Sequence, residues 1–276
     1  MMDEQRTVAI VDQLGFPAVA VVLPSRAPEL RAQVDYAPLW PPFLFAAPSM
    51  RLYAPLSELW PYAQLLLADR TSGTLLGWLD TAPAYWDGSD TRLPGGWDEL
   101  MRRAVDGLRA GRAPTALAMM SLSLLPAARG RGLGATAIEL SRALAGRLAL
   151  RAVLAPVRPT LKSAHPHVPM DEYVARLRAD GLPEDPWLRA HLRAGGRMVG
   201  IAEESTVLEA PLADWEAWGA VLPADRAGTF TVDGALVPVR ISPDGRTARY
   251  TEPNVWVVHP PARIPAQRTR EGRLAR

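Results

Sequence analysis

A glycine-rich turn between an apolar run and an amphipathic run is the feature that most limits how this 276-residue chain can fold. The segment reads LLPAARGRGLGATAIEL over residues 124–140 and contains three glycines and two arginines. The preceding run, TALAMMSLSLLP, predicts a strand that ends at Pro126, because proline cannot donate to a strand ladder. Apolar residues at helical spacing from Gly134 predict a helix that continues to about residue 147. A strand, a glycine turn and a helix N-terminus in this order are typical of a site for an anion.

Two general phosphate-binding motifs can be compared with this turn. A P-loop has a lysine followed by Ser or Thr after its last glycine, whereas Gly134 is followed by Ala135 and Thr136, so this motif is excluded. The dinucleotide pattern G-x-G-x-x-A is formally met by Gly130, Gly132 and Ala135. That motif also needs an acidic residue about 20 positions further on. The next strand instead ends in APVRP, which disfavours a dinucleotide site.

Hydrophobic patterning around the turn predicts a mixed α/β core. AQLLLADRTSGTLLGWLD predicts a β-hairpin, WDELMRRAVDGLRAG predicts a helix, and LALRAVLAPVRP predicts the strand that follows the turn helix. Two short helices and a series of β segments follow. We expect one domain over residues 1–259 with a core at about 63–157, an aromatic and proline-rich extension at 1–62, a β-rich part at 197–259, and a disordered basic tail at 260–276.

Composition excludes several classes of function. The chain has 31 basic and 29 acidic residues, and this balance is too even to attract a nucleic acid. It has no cysteine, which excludes thiolate catalysis, and its histidines and acids show no spacing that predicts a metal site. The run PAVAVVLP is too short to span a bilayer, and the N-terminus has acidic residues where a secretory signal has basic ones. We therefore predict a cytoplasmic protein without a membrane, nucleic-acid or metal partner.

The turn resembles the pyrophosphate-binding turn of the GNAT acyltransferases, whose pattern is Arg or Gln, two residues, Gly, one residue, and Gly or Ala. Arg129, Gly132 and Gly134 match this pattern in the expected order of strand, turn and helix. The resemblance implies a GNAT-like, mostly antiparallel sheet with flanking helices, whose splayed central strands form a cleft for coenzyme A. It also implies that the cofactor-binding residues are Leu124, Arg129, Gly130, Arg131, Gly132, Leu133, Gly134 and Ala135. A basic loop without a ligand is the alternative.

Longer strings resemble a narrower group, the GNAT-like loading domains of polyketide assembly lines and their free-standing relatives. These strings are LWPPF, WDG, VRPTLK, DGLPEDPWLRAHLRAGGR and EPNVW. The loading domains act on malonyl-CoA and acyl carrier proteins, and a tryptophan, a threonine, a histidine and an arginine are implicated in their decarboxylation and acyl transfer. The resemblance assigns these roles to Trp40, Thr160, His191 and Arg197.

The chemistry of these residues is compatible with such roles. Thr160 follows the second splayed strand, and its hydroxyl can donate to a thioester or carboxylate oxygen. His191 lies four residues after Trp187 and three after Leu188, so it faces inward, where burial favours the neutral ring. The structural alternatives are a helix cap for Thr160, a hydrogen-bonded core histidine for His191 and simple packing for Trp40.

The first splayed strand, ALAMMSLSLL, has no carboxylate that could deprotonate an ammonium. The resemblance implies acetyl-CoA or malonyl-CoA as the co-substrate, with decarboxylation of malonyl-CoA, and an acyl carrier protein as the partner. The missing carboxylate favours the thiol of that carrier protein as the acceptor. One alternative is an ordinary amine N-acetyltransferase in which Glu172 or a water acts as the base. Another is a non-catalytic module that binds CoA or a carrier protein. The arginines of the tail are a candidate docking segment for an acidic carrier protein.

Overall fold

The computed structural model describes residues 16–262. Its strands are β1 Val19–Val22, β2 Gln64–Asp69, β3 Leu75–Ala84, β4 Ala116–Leu124, β5 Ala152–Val157, β6 Arg197–Pro211, β7 Thr229–Phe230, β8 Val239–Ile241 and β9 Thr247–His259. They form one sheet in the order β1-β2-β3-β4-β5-β9-β8-β7, and β6 pairs with β9. The neighbouring strands are antiparallel, with the exception in residues 16–262 of the parallel pair β4 and β5.

Two helices of more than ten residues flank this sheet, and the others are short. The α-helices are α1 Pro28–Arg31, α2 Met50–Tyr53, α3 Leu56–Leu59, α4 Trp97–Arg109, α5 Leu133–Arg147, α6 Met170–Val174, α7 Pro186–Arg193 and α8 Leu212–Ala217. Single turns of 3-10 helix lie at Pro24–Arg26, Pro42–Ala46, Pro61–Ala63, Asp90–Arg92, Pro126–Ala128 and Lys162–Ala164. α4 contacts β3, β4 and β6, whereas α5 contacts β4, β5 and α7.

The predicted fold class is confirmed, because the sheet is mixed, mostly antiparallel and flanked by helices. The hairpin predicted before the turn is β2 and β3, and α4, β4, α5 and β5 follow in the predicted order. α4 buries Leu100, Met101, Ala104 and Val105, the i, i+1, i+4, i+5 spacing of one helical face. Local periodicity was therefore sufficient to place the elements between residues 63 and 157.

Two long strands, β6 and β9, dominate the predicted C-terminal β-rich part. RMVGIAE and STVLEA lie in the single strand β6, and TARYTE and NVWVVH lie in the single strand β9. Ala202 is opposite Asn254 and Thr206 is opposite Glu252, so residues 203–205 bulge opposite Pro253. The bulge removes the need for a ladder hydrogen bond from a proline nitrogen, which has no hydrogen to donate. A proline that resembles a strand end is therefore accommodated inside β9.

The N-terminal extension joins both ends of the sheet. β1 pairs with β2 at the sheet edge. Further along the extension, Phe43 is fully buried in a second core, where its ring centroid lies 5.6 Å from that of Trp215 and 5.1 Å from that of Tyr250. Tyr53 and Trp60 return to the main core. The extension is thus anchored in the C-terminal part at Phe43 and in the main core at Tyr53.

Some of the predictions concern residues outside the range 16–262. The tail predicted to be disordered, with the arginines predicted to dock a carrier protein, falls almost entirely in residues 263–276. The start of the extension falls in residues 1–15, and both segments lie outside the described residues. The single-domain boundary and the cytoplasmic location stay predictions. Between residues 16 and 262, no helix has the length and apolar character needed to cross a membrane.

Candidate active site

The glycine-rich turn connects β4 to α5 and presents a row of free amides. Gly130 and Gly132 have φ angles of 75° and 77°, in the left-handed region that favours glycine. Within the described part of the chain, the backbone N–H groups of residues 130–134 donate no hydrogen bond to a protein acceptor. These amides lie at the N-terminus of the 15-residue helix α5, whose dipole favours a negative charge. The geometry therefore fits the predicted diphosphate site.

Some side chains of the turn anchor helix α5, and others carry positive charge. Leu133 is buried and fixes the start of α5, whereas Ala135 is exposed on its first turn. Arg131 Nη2 donates to Asp69 Oδ2 at 3.1 Å, so a carboxylate offsets part of its charge. Arg129 Nε lies 3.4 Å from the carbonyl oxygen of Leu124, the last residue of β4. Both guanidinium groups are at the surface, where they can add positive charge to the amide row.

Gly134 brings α7 into contact with the turn. A Cβ atom at this position would lie 2.8 Å from Cζ3 of Trp187, closer than real Cβ contacts allow. The Trp187 ring also packs edge-on against His191, with ring centroids 4.3 Å apart. The third glycine of the turn therefore serves packing, and it links the predicted anion site to the helix that holds His191.

The cleft opens where β4 and β5 separate. The two strands pair only over Ala116–Ala118 and Ala152–Leu154 within the described residues, and they diverge after that point. The cleft encloses about 140 Å³ and is lined by residues from both diverging strands, namely Met119, Met120, Ser121, Leu122, Ala155, Pro156 and Val157. A register shift between Asp80 and Thr81 leaves Met120 as a bulge in β4. The predicted splay of these two strands is thus present in the structure.

His191 reaches the cleft from α7 and has one nitrogen without a partner. The residue is fully buried and lines the cleft. Its Nε2 atom is buried and makes no hydrogen bond to the described residues. Burial and the neighbouring His259 ring hold the pKa of His191 well below its usual value, so the ring is neutral at pH 7. A neutral imidazole with a free nitrogen can accept or donate one proton.

His259, the last residue of β9, contacts the other nitrogen of His191. Nε2 of His259 lies 2.8 Å from Nδ1 of His191. Burial is the main cause that the pKa of His259 is lowered to about 4, and the positive charge of the Arg142 guanidinium also lowers it. The two rings are therefore both neutral and share one hydrogen between these nitrogens.

A polar network forms the wall of the cleft contributed by β6 and β9. Arg158 Nε donates to Glu252 Oε1 and Oε2 at 3.0 and 3.1 Å. Tyr250 donates its hydroxyl to Oε2 at 2.7 Å, and Asn254 Nδ2 donates to Oε1 at 3.2 Å. Ser205 Oγ in turn donates to Asn254 Oδ1. Because Arg158 neutralises Glu252, this wall offers fixed dipoles to a ligand and little net charge.

Trp40 covers the cleft from the N-terminal extension. It lines the cleft, and its Nε1 atom donates to Ser123 Oγ of β4 at 2.9 Å. The hydrogen bond fixes the indole over the strand on which a thioester would lie. The structure therefore brings two of the predicted catalytic residues, Trp40 and His191, to one cleft.

The other two predicted catalytic residues lie elsewhere. Thr160 is exposed in the turn after β5 and does not line the cleft. Arg197, at the start of β6, has 62% of its side chain exposed and pairs with Asp90 at 2.6 Å. Thr160 lies beyond the end of β5 at Val157, and Arg197 is the first residue of β6. Their catalytic roles stay predictions without support from this geometry.

Sequence reasoning gave little weight to the acidic residues that line the cavities. Asp80 occupies the middle of β3, a strand whose ten residues are all buried, and Glu252 lies in β9 next to Pro253. The available signal was a lone acid in the otherwise apolar run LLGWLDTAPA. Among residues 16–262, no three His, Asp or Glu side chains are grouped so that they could hold a metal ion.

Comparison with known proteins identifies the family of this chain. No family model matches the chain. Arginine N-acetyltransferase avaD of Aspergillus versicolor is 35% identical over 249 residues, which cover 80% of this chain and 85% of that protein. The loading GNATL domain of CurA from Lyngbya majuscula shares the fold with a TM-score of 0.54 and 14% identity, over 88% of this chain and 97% of that one.

A second solved structure has the same fold. GphF GNAT-like decarboxylase in complex with isobutyryl-CoA gives a TM-score of 0.53 and 18% identity, over 88% of this chain and 99% of that one. These two likenesses concern the fold, whereas the identity to the arginine N-acetyltransferase extends through most of both sequences. With the glycine turn, the splayed strands and this relative together, the chain belongs to the GNAT superfamily of acyltransferases.

Proposed function

We propose that this GNAT acyltransferase moves an acetyl group from acetyl-CoA to a nitrogen atom of a small cationic acceptor. As a GNAT acyltransferase it takes its acyl group from a coenzyme A thioester. The observation that carries the proposal is the 35% identity to an arginine N-acetyltransferase over 80% of the chain. This relative favours the amine N-acetyltransferase alternative over the carrier-protein thiol that the lack of a carboxylate on β4 led us to expect.

The free nitrogen of His191 supports amine chemistry. A cationic amine or guanidine must lose a proton before its nitrogen can attack the thioester carbon. Nε2 of His191 can take that proton when the hydrogen shared with His259 resides on Nδ1 of His191. The nitrogen–carbon bond then forms, the carbon–sulfur bond breaks, and the thiolate of CoA leaves. The base therefore comes from α7, which removes the need for a carboxylate on β4.

Decarboxylation of malonyl-CoA and transfer to an acyl carrier protein stay predictions. They rest on short sequence strings and on the shared fold of the CurA loading domain and the GphF decarboxylase. Those two structures are 14% and 18% identical to this chain, a level that speaks to the fold alone. The arginine N-acetyltransferase therefore weighs more in the choice of acceptor.

One experiment compares these acceptors directly. The full-length chain is incubated with acetyl-CoA or malonyl-CoA and with L-arginine, other small amines, or an acyl carrier protein that carries its phosphopantetheine arm. Intact-mass analysis then reports which acceptor gains an acyl group. We expect an acetyl group on a small cationic amine with acetyl-CoA. An acyl group found only on the carrier protein would contradict the proposal and restore the thiol acceptor.

A further inference from the structure

A second cavity lies beside the cleft and is lined by Asp80. It encloses about 200 Å³. Four residues line both this cavity and the cleft, namely Tyr36, Phe45, Met50 and Tyr53, so the two spaces adjoin. Trp78 and Asp80 of β3 and Arg31 of α1 line the second cavity only. A ligand that extends from the cleft can therefore place one end beside Asp80.

Asp80 is a buried carboxylate without a counter-cation in direct contact. Only 7% of the residue is exposed. Oδ2 accepts hydrogen bonds from the hydroxyl groups of Tyr53 at 2.5 Å and Tyr36 at 2.9 Å. Among residues 16–262, no group donates to Oδ1 and no basic side chain lies within ion-pair distance. Burial raises the pKa of Asp80 and outweighs the opposite effects of the two tyrosine hydrogen bonds and of the more distant Arg31 charge.

The other buried carboxylates of the described chain are differently placed. Glu252 is paired with Arg158 and receives two further hydrogen bonds. Asp185 caps α7 by accepting the amides of Trp187 and Leu188, and its second oxygen accepts from Leu161 and Tyr173. Buried charges in proteins are normally paired. Asp80 is thus a carboxylate with an oxygen to spare at the wall of a cavity.

Aromatic residues line the cavity next to this carboxylate. The ring of Tyr36 packs edge-on against Trp78 with centroids 5.1 Å apart and against Tyr53 with centroids 5.9 Å apart. Aromatic faces attract cations, most strongly when the site is shielded from water. The indole Nε1 of Trp78 is buried and has no hydrogen-bond partner among the described residues.

We propose that this cavity binds the cationic end of the acceptor, an ammonium or guanidinium group, against Oδ1 of Asp80. The inference rests on the proposed function and specifies its substrate class. The acceptor carries two nitrogen groups, of which one stays charged beside Asp80 while the other reaches His191 in the adjoining cleft. A cation at Oδ1 offsets the cost of burying the carboxylate, and the rings of Tyr36, Tyr53 and Trp78 shield the pair from water.

The test compares a variant that lacks the charge of Asp80 with a ligand that lacks the charge of the cationic end. Binding of L-arginine and of its neutral isostere L-citrulline to the full-length chain is measured by calorimetry for the wild type and for Asp80→Asn. We expect Asp80→Asn to weaken L-arginine binding on the order of 30-fold or more, since it removes one partner of a buried charge pair. L-citrulline binding should change by less than about threefold, because a neutral urea group forms no charge pair with Asp80.

Controls separate this effect from loss of structure. Glu58→Gln makes the same chemical change on an exposed side chain of α3, and it should leave both ligands unaffected. CoA binding should be equal in all three proteins, which reports an intact turn. If Asp80→Asn does not fold, the wild type still tests the idea, because L-arginine must bind on the order of tenfold or more tightly than L-citrulline.

The possible failures are distinguishable. Equal loss of both ligands, or no loss of either, would overturn the cation site and leave Asp80 as an anchor for Tyr36 and Tyr53. Acetylation of amines with an unchanged KM in Asp80→Asn would retain the proposed function and remove this inference. Binding of L-arginine that depends on Asp80, without acetyl transfer to any amine, would retain the site and remove the proposed function.

Discussion

Nδ1 of His191 and Nε2 of His259 lie 2.8 Å apart, and the one hydrogen they share decides what His191 presents to the cleft. With the hydrogen on His191, its Nε2 is a lone pair and can act as a base. With the hydrogen on His259, Nε2 of His191 carries a proton and can act as an acid. Once Nε2 has received the acceptor's proton, the same nitrogen carries the proton that the departing thiolate needs, and His259 stays neutral.

Replacement of His191 tests its role as the proton acceptor. We expect His191→Gln to lower kcat by about 10²-fold to 10⁴-fold, the range typical of a lost general base, with little change in CoA affinity. Steady-state kinetics and calorimetry with CoA check the two parts. A residual kcat within about threefold of the wild type would exclude His191 as the general base, because such a change is far smaller than the loss of one.

Replacement of His259 tests a positioning role. His259→Phe keeps a ring in place but cannot share a hydrogen, so we expect kcat to fall about tenfold to 100-fold, as for other residues that orient a reacting histidine. His259 also helps to hold the pKa of His191 below its usual value. Its loss should raise that pKa and move the acidic limb of the pH profile of kcat/KM to higher pH. A purely structural role would lower activity without this displacement.

The two histidines also predict how stability depends on pH. The pKa of His259 is lowered to about 4 in the folded chain, whereas an unfolded histidine titrates near 6.5. The unfolded state therefore binds more protons between these values, and stability is lost as pH falls from about 6.5 to 4. We expect urea midpoints of the wild type to fall across this window more steeply than those of the double variant His191→Gln, His259→Gln. Equal slopes would contradict burial of two neutral rings.

The positive φ angle of Gly132 predicts a specific loss of CoA binding. Gly132→Ala places a side chain in the left-handed region at φ 77°, which costs about 1 to 2 kcal/mol and shifts the free amides. Gly111→Ala is the matched control, since Gly111 has φ 61° with open space around it and lies after α4. Both variants should lose similar stability, but only Gly132→Ala should weaken acetyl-CoA binding, by about tenfold in calorimetry. Equal weakening in both would place the diphosphate elsewhere.

The ion pair of Arg158 and Glu252 predicts a non-additive change in stability. Arg158→Met leaves the buried Glu252 carboxylate unpaired, and we expect the free energy of unfolding to fall by about 3 kcal/mol. Adding Glu252→Gln removes that charge and should recover part of the loss. Urea denaturation of the two single variants and the double variant gives the coupling energy. Simple additivity would show that water already screens the carboxylate.

Particular residues show how far sequence could predict the site. Gly132 and Gly134 were identified because the anion turn is a local pattern. His191 was identified from the resemblance to the loading domains, and its spacing from Trp187 predicted an inward face. His259 is 68 residues away from its partner, and the pairing of β9 with β6, the strand that follows α7, brings the two rings together. The sequence of the strand that contains Asp80 predicts that the residue is buried, but it does not predict a binding site. Its site depends on Tyr36 and Tyr53, which the chain returns to the same carboxylate from an extension without periodicity.

The anchoring of the N-terminal extension at Phe43 and Tyr53 has a consequence for selectivity. Leu44, Phe45 and Met50, between those anchors, line the space where the acceptor would lie, whereas the glycine turn for the donor belongs to β4 and α5. Donor affinity and acceptor choice are therefore encoded in separate stretches of the gene. Under the proposed function, substitutions restricted to residues 44–50 should change the choice of acceptor and leave acetyl-CoA affinity unchanged.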